Sequence, residues 1–281
     1  MGNIDLVKQA QMDLLAELDR ICKKWDIPYF LTAGTLIGAV RHSGFIPWDD
    51  DLDTGLLRKY CDRLEEACKQ DLDPNYYLHS WKTDPASPHC FYKLKIKGTH
   101  YPEEIAAGTK MDDGIFIDIF PFDRIPSGRK LQAFHRAECA WFISAFSLYP
   151  FWQRRQEIPR EKSLYYRKSF VSRAVLGVLY RLTTREWLYR KMCREMGWFN
   201  GDERCTLVNV VRLPLDVMTY ESAKECVEAP FGRLSICVPR DLEAYLHHHY
   251  PVLVKHIPDE QKVTHAPLKL SFDTLNEQTY E

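Results

Sequence analysis

The stretch "GFIPWDDDLDTGL", residues 44–56, decides how the rest of the chain is read. Four of its residues, Asp49, Asp50, Asp51 and Asp53, are acidic, and apolar side chains stand on both sides. Residues 51–57 are expected to form a strand. Side chains alternate across a strand, so Asp51 and Asp53 would share one face and Leu52 the other. Two carboxylates held that close repel, which raises one pKa unless a cation sits between them. Hard oxygen donors at this spacing suit Mg2+ or Mn2+. The alternative is a solvated turn in which Asp49 and Asp50 cap a loop. By strand parity Asp50 would point away from the ion. Asp49 follows Pro47-Trp48, where the chain is still turning. Both are therefore expected to position the loop, accepting hydrogen bonds from backbone N–H groups or from Arg41.

Upstream, "LTAGTLIGAVRH" (31–42) reads as a strand end, a Gly-Thr turn and a short helix. Gly34 lets backbone approach a ligand, and a helix start offers N–H groups and a positive dipole end to phosphate. Thr35 adds a hydroxyl, and Arg41 is a candidate partner for phosphate or for an Asp. Further back, residues 3–24 have the apolar spacing of an amphipathic helix. Downstream come a helix at 58–71 and strands at 76–81, 90–98 and 114–123. In "FYKLKIKG" Lys93, Lys95 and Lys97 share one face; such a stripe is usually solvated, but here Lys93 and Lys95 are candidates to balance a diphosphate. In "GIFIDIFPFD" Asp118 shares a face with Phe116 and Phe120, where an ionised carboxylate is costly to bury unpaired. A metal shared with Asp51 and Asp53 would remove that cost; backbone donors or an Arg would serve equally.

From Lys130 to Met196 the pattern is helical, with breaks expected near Pro150 and Pro159. Strands at 205–211 and 232–239 and a helix at 240–250 follow. The fold class is α+β: one domain over 1–281, with a mixed-sheet core at 1–129, a mostly helical insert at 130–200 and a mixed C-terminal part at 201–281. The composition is globular, with 45% hydrophobic and 27% charged residues. A net charge of −1 gives no basic field for nucleic acid. The N-terminal stretch lacks the apolar core of a signal peptide, and no run of roughly 18 apolar residues is present to span a bilayer. "CAWFISAFSLYPFW" (139–152) is read as a buried helix, with membrane contact as the alternative; it adjoins a basic segment at 153–168. Nine scattered cysteines without C-x-x-C spacing imply reduced thiols, a cytoplasmic location and no cysteine-based zinc site. The run of His247, His248 and His249 is discounted as a metal site, because consecutive helical residues point about 100° apart. His265 is a free-standing candidate.

"AGTLIGAVRHSGFIPWDDDLD" and "GIFIDIFPFD" resemble the two motifs of the LicD family, and "FGRLSICVPRDLEAYLHHHYP" is similar to that family's ending. The family includes phosphocholine transferases of bacterial surface glycans, and the fukutin-related ribitol-phosphate transferases resemble it. The resemblance implies a nucleotidyltransferase-like fold. It implies transfer of a phospho-alcohol from a cytidine diphosphate donor such as CDP-choline to a sugar hydroxyl of lipopolysaccharide or a teichoic-acid precursor. It places the metal-binding carboxylates on Asp51, Asp53 and Asp118 and the phosphate-holding turn on Gly34 and Thr35. The acceptor is a glycan or lipid-linked glycan, with peripheral membrane contact at 139–168 as an expectation. Asp118 or a neighbouring carboxylate is the candidate to take the acceptor proton. A choline head group would want an aromatic cage, for which Trp48, Trp81 and Tyr92 are among many candidates. The rivals are nucleotide transfer from an NTP to a small molecule and a non-catalytic metal- or anion-binding module.

Overall fold

The computed structural model describes residues 3–209, 217–241, Tyr245 and 271–272. Helix α1 (Asn3–Lys24) is amphipathic as its spacing predicts: Val7, Leu14, Leu15, Leu18 and Ile21 are buried, and Lys23 and Lys24 complement the dipole in its last turn. Strand β1 (Phe30–Leu31) leads into α2 (Ala33–His42), and β2 (Asp53–Leu57) begins immediately after the acidic run. A short 3-10 turn and α3 (Cys61–Asp71) precede β3 (Tyr76–His79), β4 (Tyr92–Ile96) and β5 (Thr99–His100). The long strand β6 (Phe116–Ile125) is followed by three helices, α4 (Arg129–Gln153), α5 (Phe170–Leu182) and α6 (Arg185–Met196).

The remaining described elements are β7 (Leu207–Asn209), β8 (Met218–Thr219), α7 (Tyr220–Lys224), β9 (Cys226–Phe231), β10 (Leu234–Pro239) and β11 (Ser271–Phe272). The α+β class is thus the observed one. The expected 205–211 strand is seen as Leu207–Asn209, its last two residues lying outside the described part. The 240–250 helix, His247 to His249 and His265 also lie outside it, apart from Arg240, Asp241 and Tyr245.

The main sheet runs β1-β2-β6-β4-β3, with β7 on the far half of β6 and β8 beside β7. Among the described strands only β2 and β6 pair in parallel; the other pairings are antiparallel. Strand β6 is therefore the spine, and α1 packs across it and β4. A proline in such a central strand removes a ladder donor. Pro121 is placed where this costs least, between Ile119, the last residue paired to β4, and Asp123, the first paired to β7.

Gly55 sits on β2 between Phe30 and Phe122, whose rings meet edge to face at 5.0 Å. A Cβ on Gly55 would come within 2.5 Å of the Phe122 ring and 2.7 Å of the Phe30 ring, so a side chain is excluded there. At the junction with the helices, Arg58 makes a two-pronged bond to the fully buried Asp123, with both distances 2.6 Å, and Asn200 donates a third bond to the same carboxylate at 2.7 Å.

One expectation about the fold needs correction. Helix α4 does not break at Pro150 but runs on to Gln153. The ring removes one donor near the helix end, while the Pro150 carbonyl still accepts from the Arg154 N–H at 3.1 Å and closes the last turn. The lysine stripe is not the solvated face such a pattern usually makes, and its burial was not foreseen: Lys93 and Lys95 are fully buried and Lys97 is exposed. The stretch 139–152 is largely core, with Cys139, Ile143, Ala145, Phe146, Leu148 and Phe151 buried. No helix of the described residues is long and apolar enough to cross a membrane. All nine cysteines are free thiols.

Candidate functional site

The acidic run is held from three sides. On α1, Lys8 donates to the carbonyls of Ile46 and Pro47 at 3.2 and 2.8 Å. Gln11 bonds the Asp50 carbonyl at 2.7 Å and reaches the Phe116 carbonyl at 3.3 Å, tying the loop to β6. The Tyr101 hydroxyl donates to Asp50 Oδ2 at 2.7 Å, so the buried Asp50 side chain is fixed. Asp49 closes a turn through its N–H to the Ile46 carbonyl at 3.0 Å.

Strand parity does not reach this far back. Because β2 starts at Asp53, residues 49–51 are loop, and their side chains need not alternate. The carboxylates of Asp49, Asp50 and Asp51 instead converge, each offering an oxygen within 4.8 Å of the others. The expectation that Asp50 would point away from Asp51 therefore fails, although Asp50 does accept a hydrogen bond, from the Tyr101 hydroxyl.

Asp53 belongs to a different arrangement. In the parallel register of β2 with β6 it stands opposite Asp118, and in the antiparallel register of β6 with β4 Asp118 stands opposite Lys93. Facing residues on adjacent strands share a sheet face, so Asp53, Asp118 and Lys93 form one row, which His79 of β3 continues. Backbone bonds lock the row: Asp118 N–H to the Leu52 carbonyl at 2.9 Å, Thr54 Oγ1 to the Asp118 carbonyl at 2.8 Å, and Asp53 N–H to Thr35 Oγ1 at 2.8 Å. Thr35 thus fastens the start of α2 to the start of β2.

The buried Lys93 ammonium bonds Asp118 Oδ1 at 2.7 Å and Glu103 Oε1 at 3.0 Å, and lies 3.4 Å from the centre of the Phe116 ring. His89 Nε2 is 3.3 Å from the same Glu103 oxygen. The cost of burying Asp118 is therefore met within the chain by a lysine. Burial pushes the Asp118 carboxyl up to about 6 against the pull of Lys93. Burial acts on Glu103 in the same direction, but there Lys93 and His89 prevail and hold it well below the usual carboxylate range. Lys93 stays charged: burial alone would lower its pKa, and the two carboxylates raise it instead. Burial, with Lys93 next, pushes His89 down to about 4 and Lys95 down to about 8. Lys95 donates to the Asp112 carbonyl.

Gly34 lies in the first turn of α2, where a Cβ would meet Asp49 Oδ2 at 2.8 Å; only a glycine leaves that carboxylate its place. The Tyr245 hydroxyl is 3.3 Å from the Ala33 nitrogen, beside the same helix start. Arg41 is in the last turn of α2, roughly 10 Å along the axis from Gly34 at 1.5 Å per residue. A cleft of about 650 Å³ between α3 and β3, lined by Asp62, Glu65, Glu66 and Lys82 among others, includes none of these residues.

The structure therefore groups Asp49, Asp50 and Asp51 in a loop, places Asp53, Asp118 and Lys93 in one strand row, and sets Gly34 and Thr35 beside them, with Lys95 farther along β4. Sequence reading missed Tyr101, Glu103, His89 and Tyr245. Each is a lone polar residue in a loop or a distant segment, and no periodicity marks it.

The mixed sheet thus sets facing carboxylates on two parallel neighbours, with a glycine-opened helix start beside them. Residues 26–161 match the family model described as LicD/FKTN/FKRP, nucleotidyltransferase domain. The chain is 26% identical over 194 residues to the lipopolysaccharide cholinephosphotransferase LicD of Haemophilus influenzae, covering 67% of this chain and 64% of that protein. An uncharacterized protein of Rickettsia prowazekii is 46% identical over 57 residues, 20% of this chain and 21% of its own length. Another, of Rickettsia typhi, is 46% identical over 46 residues, 16% of this chain and 15% of its own. The matches thus cover less than two thirds of each relative's length.

Proposed function

We propose that this chain is a Mg2+-dependent transferase that moves a phospho-alcohol, with phosphocholine from CDP-choline as the leading donor, to a hydroxyl of a surface glycan such as lipopolysaccharide, and releases CMP. The observation that carries the reading is the row of Asp53, Asp118 and Lys93 next to the glycine-opened start of α2. The likeness to a protein named as a lipopolysaccharide cholinephosphotransferase supports the choice of donor and acceptor.

The residues fit a hard dication. Carboxylate oxygens crowd at Asp49, Asp50 and Asp51, and Asp53 and Asp118 face each other one strand away. Asp51, Asp53 and Asp118 would hold the ion, with Asp49 and Asp50 beside them, and the ion would supply neutralisation of phosphate charge.

The chain's own groups do the rest. The first turn of α2 offers N–H groups to a phosphate oxygen, and Gly34 carries no Cβ that would crowd that turn. Lys93 fixes Asp118 and keeps a positive charge beneath the donor phosphates. The acceptor oxygen attacks the phosphorus that carries the alcohol, the bond from that phosphorus to the CMP oxygen breaks, and the acceptor proton passes to a carboxylate oxygen, with Asp118 the candidate.

The test is incubation with Mg2+, lipopolysaccharide and a panel of CDP-alcohols, reading CMP. CMP release with CDP-choline is expected. Asp51→Asn and Asp53→Asn should each abolish it while the melting temperature stays or rises, because a like charge has been removed. Normal turnover in either variant would sink the metal assignment. Pyrophosphate release from an NTP, without CMP release from any CDP-alcohol, would replace the reading with nucleotide transfer.

A further inference from the structure

Helix α5 has one face in the protein and one outside it. Leu176, Gly177 and Tyr180 are buried, and Tyr180 bonds the Ala145 carbonyl of α4 at 2.6 Å. The opposite face is mostly apolar: Phe170, Val171, Ala174, Val175, Val178 and Leu182 are all exposed, Phe170 to 77% and Leu182 to 79%, and the one charged residue among them is Arg181 in the last turn. At about 100° per residue these six fall within one stripe roughly 140° wide. Six exposed apolar side chains on one helix face mark a surface meant to be covered.

The charge around it has one sign. Every charged side chain from Lys162 to Arg185 is basic, in a chain whose net charge is −1. Lys162, Arg167 and Lys168 are exposed just before the helix and Arg181 is exposed in its last turn on the same face, where a long side chain can carry its charge out to the head groups; the N-cap is Ser169, with no acidic residue in the first turn. With 13 residues the helix is about 20 Å long, too short to cross a bilayer but long enough to lie along one.

We propose that the outer face of α5 docks on an anionic membrane surface, the apolar stripe entering the acyl boundary while the flanking cations meet acidic head groups. The charge pattern favours this partner over a second copy of the chain, because two copies joined through α5 would bring the same cations together. The membrane surface is thus α5, rather than the aromatic stretch at 139–152, whose side chains fill the core. Docking here would hold the domain against a lipid-anchored substrate, yet the inference does not depend on the proposed reaction, since it is read by binding alone.

The experiment is co-sedimentation of the full chain with vesicles of phosphatidylglycerol and phosphatidylcholine, and with phosphatidylcholine alone. Binding is expected to the anionic vesicles only, and to weaken in about 0.5 M NaCl, where the Debye length is short. The double substitution Phe170→Ser with Val178→Glu should reduce binding at least about tenfold, from the lost apolar burial and the added charge. Arg167→Glu with Lys168→Glu should reduce it as well. Both variants change exposed residues, and unaltered circular dichroism and melting temperature confirm the fold. Failure of the unaltered chain to sediment with anionic vesicles overturns the proposal, as does undiminished binding of the Phe170/Val178 variant. A dimer that Val178→Glu turns into monomers, with no vesicle binding, assigns the face to a second copy and overturns it too.

Discussion

Replacing Lys93 by methionine tests the centre of the site, because the substitution nearly keeps the length of the unbranched side chain and removes the ammonium with its charge and N–H donors. In the native protein one ammonium serves two carboxylates, Asp118 at 2.7 Å and Glu103 at 3.0 Å, and all three side chains are largely shielded from solvent. Without it the carboxylates face each other across the vacated position. At an effective dielectric constant of about 20, two charges roughly 5 Å apart repel by about 3 kcal/mol, and each also keeps an uncompensated burial cost. The variant should therefore lose about 3–5 kcal/mol of unfolding free energy at pH 7, the range for breaking a buried pair from one side.

The sign of the pH dependence follows from the carboxylates. In the native cluster Glu103 is lowered, so its stabilisation is present above the unfolded value of about 4.3 and is lost as pH falls through its folded pKa. Asp118 is raised to about 6, so it opposes stability at neutral pH and stops doing so as pH falls below that value. In Lys93→Met both groups are raised, and protonation relieves the variant as pH drops. The gap between variant and native protein should be widest near pH 7 and shrink toward pH 4. Urea unfolding at a series of pH values, followed by circular dichroism, measures it. A loss below about 1 kcal/mol at pH 7, or a gap that widens on acidification, would refute the assignment of Lys93 as the shared counter-charge.

Two more substitutions probe the frame, and a third serves as a surface control. Gly55→Ala should destabilise the fold by about 1–3 kcal/mol, since its methyl would enter both the Phe30 and Phe122 rings; thermal unfolding checks this, and an unchanged midpoint would mean the rings move aside freely. Asp123→Ala should cost about 3–5 kcal/mol by stranding the mostly buried Arg58, measured in urea, whereas Asp202→Ala on the surface should change little.

Residues 3–24, 31–42 and 114–123 carry their secondary structure in their own periodicity, and the acidic motif marks the site without help from the fold. The α+β class, the helix and strand order through β6 apart from the two-residue β5, and the likeness of residues 26–161 to the LicD family model were legible for that reason. Local pattern also explains the errors. A lysine every second residue looks like a wet face, and nothing local says that Glu103 and Asp118 will come to meet Lys93. Pro150 looks like a stop, but the helix still closes one turn beyond it.

Tertiary structure alone decided how the carboxylates are shared out. Where β2 begins is set by its partners, β1 and β6, and by Thr35 holding the Asp53 N–H; it begins at Asp53, two residues later than parity reading assumed. That start leaves Asp49, Asp50 and Asp51 in a loop pinned by Lys8, Gln11 and Tyr101, and puts Asp53 opposite Asp118. The sequence determined which residues carry the charge, because a side chain's chemistry is local. Their register, their burial and their counter-charges depend on strands and loops far apart in the chain, which only the closed sheet brings together.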